Sequence, residues 1–259
     1  MPKWTGYVFA TFATAALYSE AAADVEIAWE ADGFEAPESA VFDSEANAIY
    51  VSNMKGEGTA KDGDGYISKL SLEGEVVDKD WATGLDAPKG MAVQNGMLYV
   101  ADIGRLVVID TASGETVASH EVPDSGLLND VTAHADGRIF VSDMIANRIH
   151  VLEDDSFDIW LEDDALENPN GLLAEDDRLM VGAWGVMKPD FSTEIAGHVK
   201  AIDYASKEIT SLGDGGPVGN LDGVEADGRG GYLLTDWMEG SLLHFGGDGS
   251  STLLSLIHI

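Results

Sequence analysis

The chain has 259 residues, 45% of them hydrophobic, with 30 Gly and 7 Pro, which suits one β-rich domain with a sizeable core. Its 47 Asp and Glu against 14 Lys and Arg give a formal net charge of -33, which argues against nucleic acid or anionic lipid as a partner. There is no cysteine, so disulfides, thiolate metal sites and cysteine nucleophiles are excluded, and most of the acidic residues read as a solvated surface suited to a saline habitat.

At the N-terminus Lys3 precedes an apolar run from Gly6 to Leu17, then Ser19-Glu20-Ala21-Ala22-Ala23, with Ala21 and Ala23 placed for A-x-A cleavage. Residues 1–23 therefore read as a secretory signal peptide cut before Asp24, and the protein as exported, periplasmic or secreted. The run is too short for a transmembrane helix, and no other segment of the sequence is suited to span a bilayer. The mature part opens with Val25–Glu30, which has the pattern of a strand.

Five segments then share one pattern. They begin at Pro37-Glu38, Pro88-Lys89, Leu128-Asn129, Pro169-Asn170 and Leu221-Asp222. Each runs through a turn (Asp43-Ser44, Asn95-Gly96, Asp136-Gly137, Asp176-Asp177, Asp227-Gly228) into a second β-rich run: Ala48–Ser52, Met97–Ala101, Arg138–Ser142, Arg178–Gly182 or Gly231–Thr235. Third runs follow, as in Tyr66–Leu70 and Ser241–Phe245, and fourth runs such as Glu115–His120. Short strands recurring every forty to fifty residues or so mark the blades of a β-propeller, whereas β-helical solenoids have shorter repeats. Five repeats plus the leading strand predict an all-β, six-bladed propeller over residues 24–253. In it Val25–Glu30 is the outer strand of blade six, and that blade's other strands are cut off by C-terminal truncation.

The last residues, Leu254-Ser255-Leu256-Ile257-His258-Ile259, back-translate as CTG TCT CTT ATA CAC ATC, which resembles a transposon end used in preparing sequencing libraries. Residues 254–259 are therefore set aside as an adapter-derived tail. Long insertions occur at Met54–Gly65 and Trp184–Gly197. The first carries Asp62, Asp64 and Glu73 at calcium-loop spacing, but Ile67 stands where that loop needs Gly, so it reads as an ordinary loop.

The residue after each leading Pro or Leu is polar: Glu38, Lys89, Asn129, Asn170 and Asp222. In a propeller the first strand of a blade lines the central channel, so these five positions converge. Carboxylates and amide oxygens form a hard-oxygen set suited to Ca²⁺, with Mg²⁺, Mn²⁺ or Zn²⁺ as alternatives. The competing reading is that Asn and Asp only make turns at strand starts, as Asn-Pro-Asn-Gly at Asn168–Gly171 suggests; Glu38 is a poor turn residue and does not fit it.

These motifs resemble the SMP-30/gluconolactonase/LRE-like family of six-bladed propellers, over Val25 to about Leu253. The resemblance implies one divalent cation held by Glu38, Asn170 and Asp222, with Asp222 also the general base. It implies substrate or water contact at Asn129-Asp130. The implied reaction is lactone hydrolysis on a small-molecule substrate. Where sugar-lactone members carry an Arg two residues before this Asn, the chain has Leu127, so a polyhydroxy lactone is in doubt. Lys89 stands in the ring register, either to contact an anionic substrate or to balance Glu38 and Asp222. Trp184 and Trp237 follow inner strands at blades four and five, either as pocket walls, as core packing or exposed at the rim.

No G-x-S-x-G or H-E-x-x-H occurs, and His120, His134, His150, His198 and His244 fall at dissimilar repeat positions. Gly213–Pro217 is Gly-rich without a following helix pattern, so it is no phosphate cradle. Two rivals stay open: a non-catalytic ligand- or protein-binding propeller with a structural metal, and a phosphoester or organophosphate hydrolase on the same site. Substrate, native metal and oligomeric state are not set by the sequence.

Overall fold

The computed structural model describes residues 27–188, 190 and 192–256. The signal-peptide assignment falls outside them. The described residues form five four-stranded sheets, each with its strands in sequence order. Blade one holds β1 (Pro37–Asp43), β2 (Ala48–Asn53), β3 (Gly65–Leu70) and β4 (Val76–Leu85). Blade two holds β5 (Met91–Gln94), β6 (Met97–Asp102), β7 (Arg105–Asp110) and β8 (Thr116–Glu121). Blade three holds β9 (Leu128–Ala133), β10 (Ile139–Asp143), β11 (Arg148–Glu153) and β12 (Ser156–Glu162). Blade four holds β13 (Pro169–Ala174), β14 (Arg178–Ala183), β15 (Val199–Asp203) and β16 (Ile209–Ser211). Blade five holds β17 (Leu221–Ala226), β18 (Tyr232–Asp236), β19 (Ser241–Phe245) and β20 (Ser251–Leu256).

All pairings within the sheets are antiparallel, as short turns require. The hairpin between β5 and β6 shows why. Gln94 pairs with Met97 across a two-residue turn, and both turn residues, Asn95 (φ 52°) and Gly96 (φ 73°), take the left-handed geometry that matches strand twist. Inner strands of successive blades touch: β1 with β5, β5 with β9, β9 with β13 and β13 with β17. The chain is thus an all-β propeller whose described residues supply five blades.

The predicted leading strand is corrected. Residues 27–30 of Val25–Glu30 lie outside any strand. A strand needs a neighbour to satisfy its backbone, and no sixth sheet stands among the described residues to supply one. The segment is instead tied down by Trp29, whose indole N–H donates to the Leu72 carbonyl at 3.0 Å while its ring lies against Gly74 in the β3–β4 turn. At the other end, residues 254–256, set aside as tail, pair within β20: Leu256 faces Ser241 and Ser255 faces Leu242. An outermost strand is held largely by backbone bonds, so its side chains are weakly specified.

The core lies between blades. Tyr50 and Ile67 of blade one pack with Leu98 and Val107 of blade two. Ala101 and Leu106 meet Leu128 and Val141 of blade three. Phe140 and Ile149 meet Leu179 and Ile202 of blade four. Met180 and Val199 meet Leu234 and Phe245 of blade five. Phe140 is fully buried and stacks on Tyr204 of the next blade at 5.5 Å between centroids. Phe140→Ala should therefore cost about 3–5 kcal/mol of stability, read as a lowered denaturant midpoint with little change in slope. A loss below about 1 kcal/mol would show that this inter-blade seam does not support the fold.

Candidate functional site

Four of the five ring residues sit at the second position of an inner strand: Glu38 in β1, Asn129 in β9, Asn170 in β13 and Asp222 in β17. Lys89 stands two residues ahead of β5. Just beyond the ring residue the pairing register slips in β1, β9, β13 and β17. Such a bulge frees a backbone N–H. In blades one, three and five a hydroxyl from the second strand takes it: Ser52 Oγ accepts from Ser39 at 3.0 Å, Ser142 Oγ from Asp130 at 2.8 Å and Thr235 Oγ1 from Gly223 at 2.7 Å. In blades two and four the matching residue is Gly90 or Gly171, and its role is space. A Cβ on Gly171 would lie 2.1 Å from the Asp222 carbonyl oxygen, and one on Gly90 would lie 2.2 Å from Asp130 Oδ1.

This answers the turn reading of Asn168–Gly171. The left-handed residues there are Glu167 and Asn168, both at φ 58°, ahead of Asn170. Asn170 is almost fully buried and bonds across blades. Its Oδ1 accepts from Asn129 Nδ2 of blade three. Its Nδ2 donates to Asp222 Oδ1 at 2.9 Å and to the Leu221 carbonyl at 3.1 Å, both in blade five. Asp130 joins blades three and four: its backbone N–H donates to Ser142 Oγ within blade three, and its Oδ2 accepts from Leu172 N of blade four at 2.7 Å.

Charge in the ring is unbalanced. Burial pushes the Glu38 carboxyl up to about 8; the Lys89 ammonium opposes this in part, and Asp222 and Asp130 add repulsion. Burial likewise lifts Asp130 to about 7 against the bonds from Leu172 and Val131. Asp222 is raised by burial and held back by Asn170 and Lys89. Glu38, Asp130 and Asp222 carry three negative charges when ionised and Lys89 one positive, a deficit that a divalent cation closes. The Lys89 side chain is buried, and its polar contact is soft: Nζ lies 3.3 Å from Met54 Sδ.

The donor set fits a hard cation on chemistry and charge. Among the described residues no three His, Asp or Glu side chains close on one point, so amide oxygens must complete any such site. In the present hydrogen-bond order Asn170 turns its donor toward Asp222. Holding a cation beside Asp222 requires that amide to present Oδ1 instead, because an N–H cannot face a cation. In the 54–64 loop Asp62 Oδ1 accepts from the N–H of Asp64 at 3.1 Å, a local turn bond.

A second ring of residues lies beside the first. The position two past the end of each second run is apolar in every blade: Met54, Ile103, Met144, Trp184 and Trp237. In four blades its backbone N–H donates to the carbonyl two residues before the ring residue: Met54 to Ala36, Met144 to Leu127, Trp184 to Asn168 and Trp237 to Asn220. Met54, Ile103, Met144 and Trp184 pack with Leu127, and Trp184 meets Trp237 at 6.0 Å between ring centroids. The intervening position holds buried Asn53, Asp102, Asp143 or Asp236 in four blades. Asp102 and Asp143 anchor the entering loop by accepting from Asp86 and Ala87, and from Gly126 and Leu127. Reading the second run two residues further in every repeat would have found both sets.

No family model matches the chain, and no curated protein matches it in sequence. Solved structures share its fold. A virginiamycin B lyase from Staphylococcus aureus is 16% identical at a TM-score of 0.57, over 85% of this chain and 69% of that one. A streptogramin B lyase is 14% identical at 0.58, over 91% and 86%. A chain in a nidogen/laminin complex is 17% identical at 0.63, over 87% and 81%. These likenesses establish the propeller.

The ring's charge predicts a linkage. Glu38 and Asp130 have folded-state pKa values near 8 and 7, above their ordinary 4.5 and 3.8, so the folded protein binds more protons than the unfolded one in between. The stability they contribute is present below the ordinary carboxyl range and is lost as pH rises through those folded values. A bound dication replaces the protons, so its stabilisation should grow with pH. In chelator, Tm should fall between about pH 5 and pH 9, and added Ca²⁺ should restore it most at the alkaline end. No calcium effect on Tm, or one equal at all pH values, defeats the cation assignment.

Proposed function

We propose that this chain is a divalent-cation-dependent hydrolase that opens lactone rings, as the resemblance to the SMP-30/gluconolactonase/LRE-like family implies. The observation that supports it is the inter-blade chain Asn129–Asn170–Asp222, with Glu38 and Lys89 in electrostatic reach of Asp222. Glu38, Asn170 and Asp222 would hold the cation, Ca²⁺ first among Ca²⁺, Mg²⁺, Mn²⁺ and Zn²⁺. When bound, such an ion polarises a carbonyl and lowers the pKa of water. Asp222 is the base. With the Asn170 amide turned to present Oδ1, the Asp222 carboxylate would take the proton of the attacking water. Asn129 and Asp130 orient the ring ester. Lys89, whose Nζ lies beside the Met54 thioether, would stabilise the carbonyl oxygen as it gains charge and then the carboxylate product. Residues 1–23 would direct the protein out of the cytoplasm.

The binding-propeller reading draws on the fold shared with a chain of a nidogen/laminin complex. Asp222→Asn separates the two. With γ- and δ-lactones and Ca²⁺, hydroxy-acid release should fall by about 10²-fold or more while the protein stays folded. If the unaltered protein opens no lactone, or the variant remains as active, the hydrolase reading fails.

A further inference from the structure

We infer that the substrate carries an apolar chain or ring, laid above the polar ring on an apolar collar in which half-buried Met54 and exposed Trp237 present surface and buried Met144 and Trp184 pack behind them. The inference rests on the lactonase reading of the same site and names its substrate class. Three observations carry it.

The collar is continuous with the reactive ring. Met54 Sδ touches Lys89 Nζ at 3.3 Å, and Met144 Sδ lies 3.7 Å from Asn129 Nδ2. The polar ring at Lys89 and Asn129 therefore has sulfur as its immediate neighbour. Thioethers and indoles adapt to apolar matter of varied shape.

The collar is also held in place by buried polar side chains. Asn168 Nδ2 donates to the Met144 carbonyl at 2.9 Å, and its Oδ1 accepts from Met187 N at 2.9 Å. Asn220 Nδ2 donates to the Trp184 carbonyl at 2.7 Å and to Thr193 Oγ1 at 3.0 Å. These amides stand close to the mouth, yet their hydrogen bonds are committed to the loops that carry the collar. They are poorly placed to bind sugar hydroxyls. Leu127 is buried in the collar's own packing.

Finally, the apolar surface opens outward. Trp237 is 49% exposed and Met238 53%, and Val186 and Ile195 of the long insertion are exposed at the same end of the blades. Apolar side chains clustered around a polar floor mark a site whose ligand has both characters.

The test measures kcat/KM of the calcium-loaded protein on γ-lactones from γ-butyrolactone to γ-undecalactone, and on gluconolactone. Each added methylene should raise kcat/KM by about two- to four-fold until the chain outgrows the collar, since a buried methylene is worth at most about 0.8 kcal/mol. Gluconolactone should fall below the long-chain members. Trp237→Ala should lower kcat/KM on γ-undecalactone by about tenfold more than on γ-butyrolactone, as loss of an aromatic wall predicts. A flat or falling chain-length series, or gluconolactone as the best substrate, overturns the inference while leaving the lactonase reading intact. Calorimetric binding of 2-alkylcyclopentanones, which carry the carbonyl but no ester to hydrolyse, keeps the two apart. Affinity that rises with chain length and is weakened by Trp237→Ala supports the apolar collar even if no lactone is opened, in which case the hydrolase reading alone falls. Chain-independent binding overturns the collar.

Discussion

The site depends on how closely the inner strands of neighbouring blades approach. At Gly171 the next blade's backbone occupies the space that a Cβ would need, and at Gly90 the Asp130 side chain does so. That contact brings Asn129, Asn170 and Asp222 within one hydrogen-bonded chain, although they are far apart in sequence. It also crowds Glu38, Asp130 and Asp222 into a region where burial and mutual repulsion favour their neutral forms. Packing and electrostatics are therefore one problem here. The seams that stabilise the blades force like charges together, and Lys89 offsets only part of the imbalance.

The blades solve the bulge at the channel in two ways. Where Ser52, Ser142 or Thr235 stands in the second strand, a hydroxyl satisfies the backbone N–H freed by the slipped register. Where Ala101 or Gly182 stands there, Gly90 lies just ahead of β5 and Gly171 lies in β13, and the neighbouring blade fills the space a Cβ would need. Gly90 N donates to the Asn129 carbonyl at 2.8 Å. This alternation gives the ring its cross-blade bonds and leaves the polar residues different around the channel.

Much of the fold was legible because each repeat punctuates itself. The third run of blade five, Ser241–Phe245, is β19 to the residue, and the first run of blade four begins where β13 begins. Ends of the chain were less legible. Val25–Glu30 has strand composition, but composition cannot supply a neighbour to pair with. Residues 254–256 enter a strand because β19 offers them an edge. The ring residues were visible as equivalent positions. The collar was visible in principle at the same repeat spacing, but Met, Ile and Trp after a strand look like packing until the blades are assembled.

The sequence by itself determined the repeat, the all-β class and which positions are equivalent, because those follow from local alternation and turn chemistry. It also named Glu38, Lys89, Asn129, Asn170 and Asp222 as a set. Tertiary structure decided what the set does in space: that Asn170 bridges the blades on either side of it, that neighbouring Asp130 joins blades three and four, and that Lys89 ends beside a thioether. It decided too that Gly171 serves close approach instead of a turn. Those outcomes depend on distances between blades, set by side-chain volumes across the seams, and no stretch of one repeat contains them.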